Sequence, residues 1–186
     1  MNPAILCKGQ MFIPKGTPLP ANFVHGDAVG ESKRALAVQD GLTQGALQVP
    51  GSIRAKLYTL QVAVSSLPDV DCPLQHTFAP GIYIRTIILP VGSTLIGKIH
   101  KHQHGNILSS GTVAVLTESG GVEKLTGPLT MLSEPGTKRA VRAITEAVWT
   151  TIHPNPTNTR DLAQLESEII AATYAEYDAF LSEVQS

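Results

Sequence analysis

The chain has 186 residues, of which 42% are hydrophobic, and its 14 basic and 15 acidic residues leave a formal net charge of −1. This balance gives no electrostatic basis for binding nucleic acid or a membrane surface. No apolar run approaches the roughly 18–20 residues that cross a bilayer, so we expect neither nucleic acid nor membrane as a partner.

Cysteine usage and the N-terminus bear on the compartment. The N-terminus lacks the pattern of a secretion signal. The two cysteines, Cys7 and Cys72, lie far apart without CxxC spacing. We therefore expect no disulfide framework, and a reducing compartment is the simpler interpretation.

Residues 1–51 are predicted to form an irregular N-terminal arm rich in proline and glycine, with one short predicted strand at residues 11–14. Alone, such a segment buries too little apolar surface to offset its ordering entropy. We therefore expect the arm to lie on another surface, in a homo-oligomer or a larger assembly.

A helix and a connector are predicted over residues 52–75. Ser52 is a suitable N-cap, and Pro68 ends a helix over residues 53–67. One face of this helix is apolar because five residues recur at helical spacing, namely Ile53, Leu57, Leu60, Val64 and Leu67.

The pattern changes to short β-branched segments over residues 76–154, with turns every eight to twelve residues. Such spacing is typical of a β-sandwich or barrel. The predicted strands are residues 82–89, 94–104, 106–109, 112–117, 122–125, 129–132, 138–144 and 147–153.

Residues 155–186 predict a C-terminal helix. Thr157, Asn158 and Thr159 are possible N-caps, and residues 160–182 have one apolar side. That side is expected to pack on the barrel or on a neighbouring subunit.

Three of the six histidines lie in one stretch, residues 92–111, at positions 100, 102 and 104. In a continuous strand His100, His102 and His104 would share one face with Lys98, since alternate residues point the same way. This cationic, imidazole-rich row is the main candidate site.

The same stretch resembles the first motif of the cupin superfamily. Gly92, five residues, Lys98-x-His100, three residues, His104, six residues and Gly111 reproduce the spacing of that motif. Two identities differ, because Lys98 replaces the first histidine and His104 replaces the glutamate. The second cupin motif ends in a Pro-x-Gly-x-x-His pattern. In the corresponding run, residues 134–139, Arg139 stands at the position of that histidine. The resemblance implies a cupin-type double-stranded β-helix, or jelly-roll, barrel over residues 76–154.

A narrower resemblance is to cupin-like proteins encoded in bacteriophage genomes. It implies a phage origin, a helix on each side of the barrel, and a location in the host cytoplasm or the virion. The runs that carry it are Cys72-Pro73, His76, residues 78–81, 97–100, 106–109, 135–139 and 149–153.

Cupins that bind metal hold the ion with three imidazoles and one carboxylate. Here the equivalent positions are Lys98, His100, His104 and Arg139, and two of these are cations. A cation within ~5 Å of a divalent ion costs several kcal/mol, so we do not expect the standard four-ligand site.

Three interpretations of His100 and His104 stay open. They bind a divalent transition metal with help from His102, His76 or His153. Alternatively, they join Lys98 and Arg139 in a pocket for a small anionic ligand.

In the third interpretation they form an internal hydrogen-bond network that needs acidic partners, for which Glu118, Glu123 and Glu146 are the nearest candidates. Two further expectations concern positions around the site. His102 is expected in an exposed turn. Tyr83 and Arg85 are expected on a solvated strand face, with the lining of the barrel mouth as the alternative.

The leading functional hypothesis is a non-enzymatic structural or assembly component of a phage, whose partners are copies of itself or other virion proteins. The replaced ligand positions and the arm motivate it, and no catalytic residue is assigned. One alternative is a small-molecule enzyme of the cupin type, either a metal-dependent oxygenase or isomerase or a metal-free sugar isomerase. The other is a ligand-sensing regulatory module.

Overall fold

The computed structural model describes residues 52–64, 69–116 and 121–184, together with the backbone of Leu6–Cys7. The rest of the predicted arm, with its predicted strand at residues 11–14, lies outside the described residues. The same holds for Leu67, which was predicted on the first helix, and for Glu118.

Three helices and thirteen strands make up the described chain. The helices are α1 (Ile53–Val64), α2 (Leu162–Ile169) and α3 (Tyr174–Val184). Within the described ranges, no helix has the length and apolarity needed to cross a bilayer. The strands are β1 (Leu6–Cys7), β2 (Asp69–Val70), β3 (Leu74–Ala79), β4 (Gly81–Leu89), β5 (Thr94–Ile96), β6 (Ile99–His100), β7 (His104–Ser110), β8 (Thr112–Leu116), β9 (Val122–Thr126), β10 (Leu129–Ser133), β11 (Ala140–Ala143), β12 (Ala147–Asn155) and β13 (Ile170–Ala171).

Two sheets face each other. One has the order β10-β7-β12-β4-β3 and the other β2-β1-β5-β11-β8-β9. The first and last barrel strands, β4 and β12, are antiparallel neighbours in one sheet, while β5 and β11 are antiparallel neighbours in the other. This is the strand order of a jelly roll, so the predicted double-stranded β-helix is confirmed.

The core lies between the inner faces of these sheets. β12 alternates buried and partly exposed residues along most of its length, as expected for a strand with one face in the core. The largest buried cluster includes Ile87, Leu89, Leu108, Val113 and Trp149. These residues fill much of the space between the two sheets.

Helix α1 packs on the outside of the β5–β11–β8 sheet. It begins as predicted at Ser52, whose Oγ accepts a hydrogen bond from the Ala55 amide at 3.4 Å. Its buried side chains are Leu57, Leu60 and Val64. They contact the outward-facing residues Ile96, Leu116 and Ala140.

The C-terminal region differs from the prediction of one continuous helix. Its helical segment is interrupted by β13, which pairs with β6 so that Ile170 lies opposite His100. The N-cap of α2 is Asp161, whose side chain accepts from the Ala163 and Gln164 amides, instead of a residue at 157–159. The pairing with β6 stops α2 and turns α3 onto a different surface.

The predicted strand over residues 94–104 is also divided. The chain bends at Lys101 and His102 between β6 and β7. The Lys101 amide donates to the Ile169 carbonyl at 2.9 Å, which ties this bend to the end of α2. Therefore His100 and His104 lie on different strands, and the predicted shared strand face is wrong.

Gly111 ends β7 at a turn that no other residue fits. Its φ is +88°, and an added Cβ would lie 2.1 Å from the Glu146 carbonyl oxygen. Glycine tolerates both the left-handed backbone and the close approach. The last glycine of the motif is thus required by the β7–β8 connection.

Cys72 corrects the expectation about cysteines. Its side chain is buried and disulfide-bonded, so the expectation of no disulfide was wrong. The interpretation of a reducing compartment loses its basis with it.

Substitution of a core residue tests the packing directly. Val113→Ala removes two methyl groups from a fully buried position on β8, so we expect the free energy of unfolding to fall by about 2 kcal/mol. Val122→Ala on the paired strand β9 is the control, because Val122 is 54% exposed. Urea unfolding should show a loss several times larger for Val113→Ala, and equal losses would contradict this packing.

Candidate functional site

A cavity of about 220 Å³ opens at one end of the barrel. Its floor is apolar and includes Ile87, Val141 and Trp149, while polar side chains from several strands surround its upper part. Helix α2 covers the opening with Leu165, Glu166 and other residues. The cavity therefore combines an apolar floor, a polar wall and a helical cover.

Three histidines meet in the wall of this cavity. His100 comes from β6, His104 from β7 and His153 from β12. Each offers a ring nitrogen, and these three atoms lie within 4.8 Å of one another. The ring centroids of His100 and His104 are 3.9 Å apart, and that of His153 is 4.8 Å from His104 and 5.1 Å from His100.

The hydrogen bonds of the rings leave nitrogen atoms available. Nδ1 of His104 lies 3.3 Å from the His102 carbonyl oxygen. Because a carbonyl only accepts, Nδ1 carries the proton and the lone pair is on Nε2. Nδ1 of His100 is buried without a hydrogen-bond partner. A buried polar atom of this kind calls for an explanation.

Burial keeps the three imidazoles uncharged at neutral pH. Burial, together with the smaller effects of nearby His104 and Arg85, lowers the pKa of His153 from 6.5 to about 3. Burial also lowers the pKa of His100 well below its usual value. Burial lowers the pKa of His104, although its hydrogen bond to the His102 backbone acts in the opposite direction and raises that pKa. Neutral imidazole is the form that binds metals.

Cationic side chains surround the imidazole cluster. Arg85, Lys98 and Arg139 line the cavity, and Glu166 is the one carboxylate among its described lining residues. Lys98 and Glu166 form a close ion pair at the opening. Three cations against one carboxylate leave the wall with net positive charge, which favours an anionic ligand.

A buried hydrogen-bond network holds the wall in place. The Asn106 amide nitrogen donates to Ser133 Oγ at 2.7 Å, and Trp149 Nε1 donates to the Asn106 oxygen at 3.1 Å. The Arg139 guanidinium also donates to Ser133 Oγ. This network joins strands β7, β10 and β12 and fixes Arg139 beside the imidazoles.

The four residues predicted as the ligand pocket, Lys98, His100, His104 and Arg139, all line this one cavity. His102, predicted as a metal ligand, does not join the cluster. It is exposed, as its expected turn position implied, and its ring meets Phe180 edge-on at 5.5 Å. The bend at residues 101–102 turns it away, and His153 takes the third place.

Several residues of the wall were missed or misplaced by sequence reasoning. Tyr83 and Arg85 were expected on a solvated face, yet both line the cavity. Glu123 and Glu146 are exposed, and Glu166 is the carboxylate that pairs with Lys98. His76 reaches the cavity, where its Nδ1 lies 2.7 Å from the Tyr83 hydroxyl.

The donor set fits a divalent transition metal. Imidazole suits iron, nickel, copper and zinc, and here three uncharged imidazoles lie together with one orphaned nitrogen among them. A metal-bound histidine usually donates its other ring N–H to an outer partner such as a backbone carbonyl, and His104 donates to the His102 carbonyl in this way. Arg139 lies close enough to His100 and His104 to lower the pKa of both, while Lys98 is paired with Glu166.

No protein-family model matches the chain, and no curated protein matches it in sequence. Solved structures do match part of it. A cupin domain from Bordetella pertussis is 16% identical, with a TM-score of 0.38, over 45% of this chain and 93% of that one.

The cupin-2 domain of an XRE family transcriptional regulator from Enterobacter cloacae is 15% identical, with a TM-score of 0.39, over 45% of this chain and 97% of that one. The polyketide cyclase RemF from Streptomyces resistomycificus is 10% identical, with a TM-score of 0.38, over 44% and 64%. The fold assignment rests on the strand order given above, and these matches carry no information about function. Nothing in them indicates a phage origin.

The buried histidines predict a pH-dependent stability in the metal-free protein. Above pH 6.5 His153 is neutral in both folded and unfolded chains and contributes nothing. Below it, only the unfolded chain binds the proton until the pH reaches about 3. The free energy of unfolding should therefore fall by about 3 kcal/mol or more between pH 7 and pH 4.

Urea unfolding at a series of pH values measures this loss. His153→Gln should reduce it, while His102→Gln, at an exposed position, is the matched control. A stability that does not change between pH 7 and pH 4 would show that these imidazoles are not buried in their neutral form.

Proposed function

We propose that the barrel cavity binds a divalent transition-metal ion through His100, His104 and His153. The observation that carries this proposal is the meeting of three ligand nitrogens within 4.8 Å inside a buried site. All three rings are uncharged at neutral pH, so metal binding there needs no prior loss of a proton from an imidazolium ion.

A purely structural role for the cluster explains less. A network that serves only stability pairs its buried donors and acceptors. His100 Nδ1 has no hydrogen-bond partner, and the three stacked rings approach one another without an acidic group among them. A metal ion gives these lone pairs a common partner.

A small anionic ligand beside the metal completes the proposal. The wall is cationic through Arg85, Lys98 and Arg139, and a bound divalent ion adds further positive charge. When bound, the metal supplies Lewis-acid polarisation of a ligand oxygen. Guanidinium groups hold carboxylates by charge-assisted hydrogen bonds, and the cavity volume of about 220 Å³ limits the ligand to a small molecule.

This proposal favours the small-molecule alternatives, a cupin-type enzyme or a ligand sensor, over the structural one. The hypothesis of a phage assembly component was motivated by the replaced ligand positions and by the N-terminal arm. The arm lies outside the described residues except for the backbone of two positions. That hypothesis stays a prediction from the sequence.

Metal titration of the untagged, metal-stripped protein tests the first part. We expect one Co²⁺ per chain, seen by its visible absorption bands. His100→Ala, His104→Ala and His153→Ala should each weaken binding by more than about 100-fold, beyond the usual effect of losing an outer-shell partner. His76→Ala and His102→Ala are the controls, because both lie outside the cluster.

Circular dichroism would confirm that each variant keeps its fold. If the wild type binds no Co²⁺, the metal proposal fails. It fails equally if His102→Ala weakens binding as much as His153→Ala does.

Ligand binding to the Co²⁺-loaded protein tests the second part. With succinate as the probe, calorimetry should detect binding that Arg139→Gln weakens by about tenfold or more, since a charged hydrogen bond is worth about 1.5–3 kcal/mol. Arg142→Gln is the control, because Arg142 lies on β11, the strand that directly follows Arg139, but outside the cavity lining. Equal affinity in both variants would exclude Arg139 from the ligand site.

A further inference from the structure

The outer face of the β10-β7-β12-β4-β3 sheet is apolar. Side chains alternate along β4, so that Tyr83, Arg85 and Ile87 point inward while the residues between them point outward. Cross-strand pairing places Ile152 opposite Ile84 on this outer face. We call it the outer isoleucine face. Its centre consists of apolar side chains and two threonines, namely Ile84, Thr86, Ile88, Ile107, Val148, Thr150 and Ile152.

No outward position of the five strands carries Asp, Glu, Lys or Arg. Ile82 is 41% exposed, Ile88 36% and Leu132 65%. Protein interfaces are depleted of charge at their centres, and a contiguous apolar patch on a surface marks an interaction site. The composition of this face therefore indicates a contact surface.

The other sheet shows how the chain treats an outer face that meets water. Helix α1 covers its apolar part, around Ile96 and Leu116. The neighbouring outward positions Arg142 and Lys124 are charged, and both pair with Ala114. On the isoleucine face neither device is present within the described ranges, because α2 packs near Tyr83 and α3 near Ile99.

We propose that the outer isoleucine face packs against the same face of a second copy of this chain. In a two-fold symmetric dimer the same patch meets itself, so a charged residue near the axis would meet its own charge. A face without charges avoids that repulsion and leaves no ion unpaired on burial. Two sheets packed face to face are a common arrangement of antiparallel sheets.

The size of the face agrees with a stable dimer. β4 and β12 are each nine residues long, and strands lie about 4.8 Å apart with a rise of about 3.4 Å per residue. The five strands of the sheet have 36 residues in all, so together they cover roughly 600 Å². A standard interface buries about 800 Å² per partner, so this face supplies most of what a specific dimer needs.

Molar mass measured by light scattering during size exclusion tests the proposal on the full chain. We expect the wild type to be a dimer at micromolar concentration. Ile84→Lys and Ile152→Lys should raise the dissociation constant by at least about 100-fold, because each buries unpaired ammonium groups. Ile88→Lys, at a more exposed position, is a second variant with less risk to folding.

Ile144→Lys is the matched control, since Ile144 is 44% exposed but lies in the turn before β12. It should remain a dimer, and Co²⁺ binding by all variants would show that the barrel is intact. A wild type that is monomeric at about 100 μM overturns the proposal. Coverage of this face by the N-terminal arm of the same chain would give that result. A dimer that persists in both Ile84→Lys and Ile88→Lys also overturns it.

Discussion

The hydrogen bonds that β12 makes along both of its edges hold the candidate site together. β12 pairs with β4, which sets His153 opposite Tyr83, and with β7, which sets Ile152 opposite Gly105. Consequently the rings of His153 and His104 lie side by side. A slip of one residue would turn His153 outward. Trp149 and other buried residues on the same face of β12 prevent such a slip, so the packing of the core fixes the geometry of the site.

Burial then determines what the site can do. The apolar floor and the cover of α2 remove the imidazoles from water, and the neighbouring guanidinium groups oppose a positive charge on them. The same burial that destabilises the protein at low pH keeps the ring nitrogens free of protons at neutral pH. Arg139 stays close because Ser133 and Asn106 hold it. The site therefore combines neutral metal ligands with a cationic wall, which is the combination that suits a small anion beside a metal ion.

Much of the fold could be predicted because its signals are local. Ser52 and the spacing of Leu57, Leu60 and Val64 predicted α1, and the motif spacing from Gly92 to Gly111 placed His100 and His104 in one cavity. The third histidine could not be chosen, because the bend after His100 that turns His102 outward depends on a contact with Ile169. Glu166 lies 68 residues from Lys98 in the chain. The position of Glu166 depends on the break in the helix at Ile170. The sequence does not reveal that break, because apolar residues at helical spacing continue across it.

The five-stranded sheet serves both conclusions, since its inner face carries His104 and His153 and its outer face carries no charge. The central claim is that three imidazoles from β6, β7 and β12 share one ligand. X-ray absorption spectroscopy of the Zn²⁺-loaded full chain tests this claim most directly. The account predicts scattering from three imidazole rings, with Zn–N distances of about 2.0–2.1 Å. A zinc environment of oxygen atoms alone, or of a single imidazole, would contradict it.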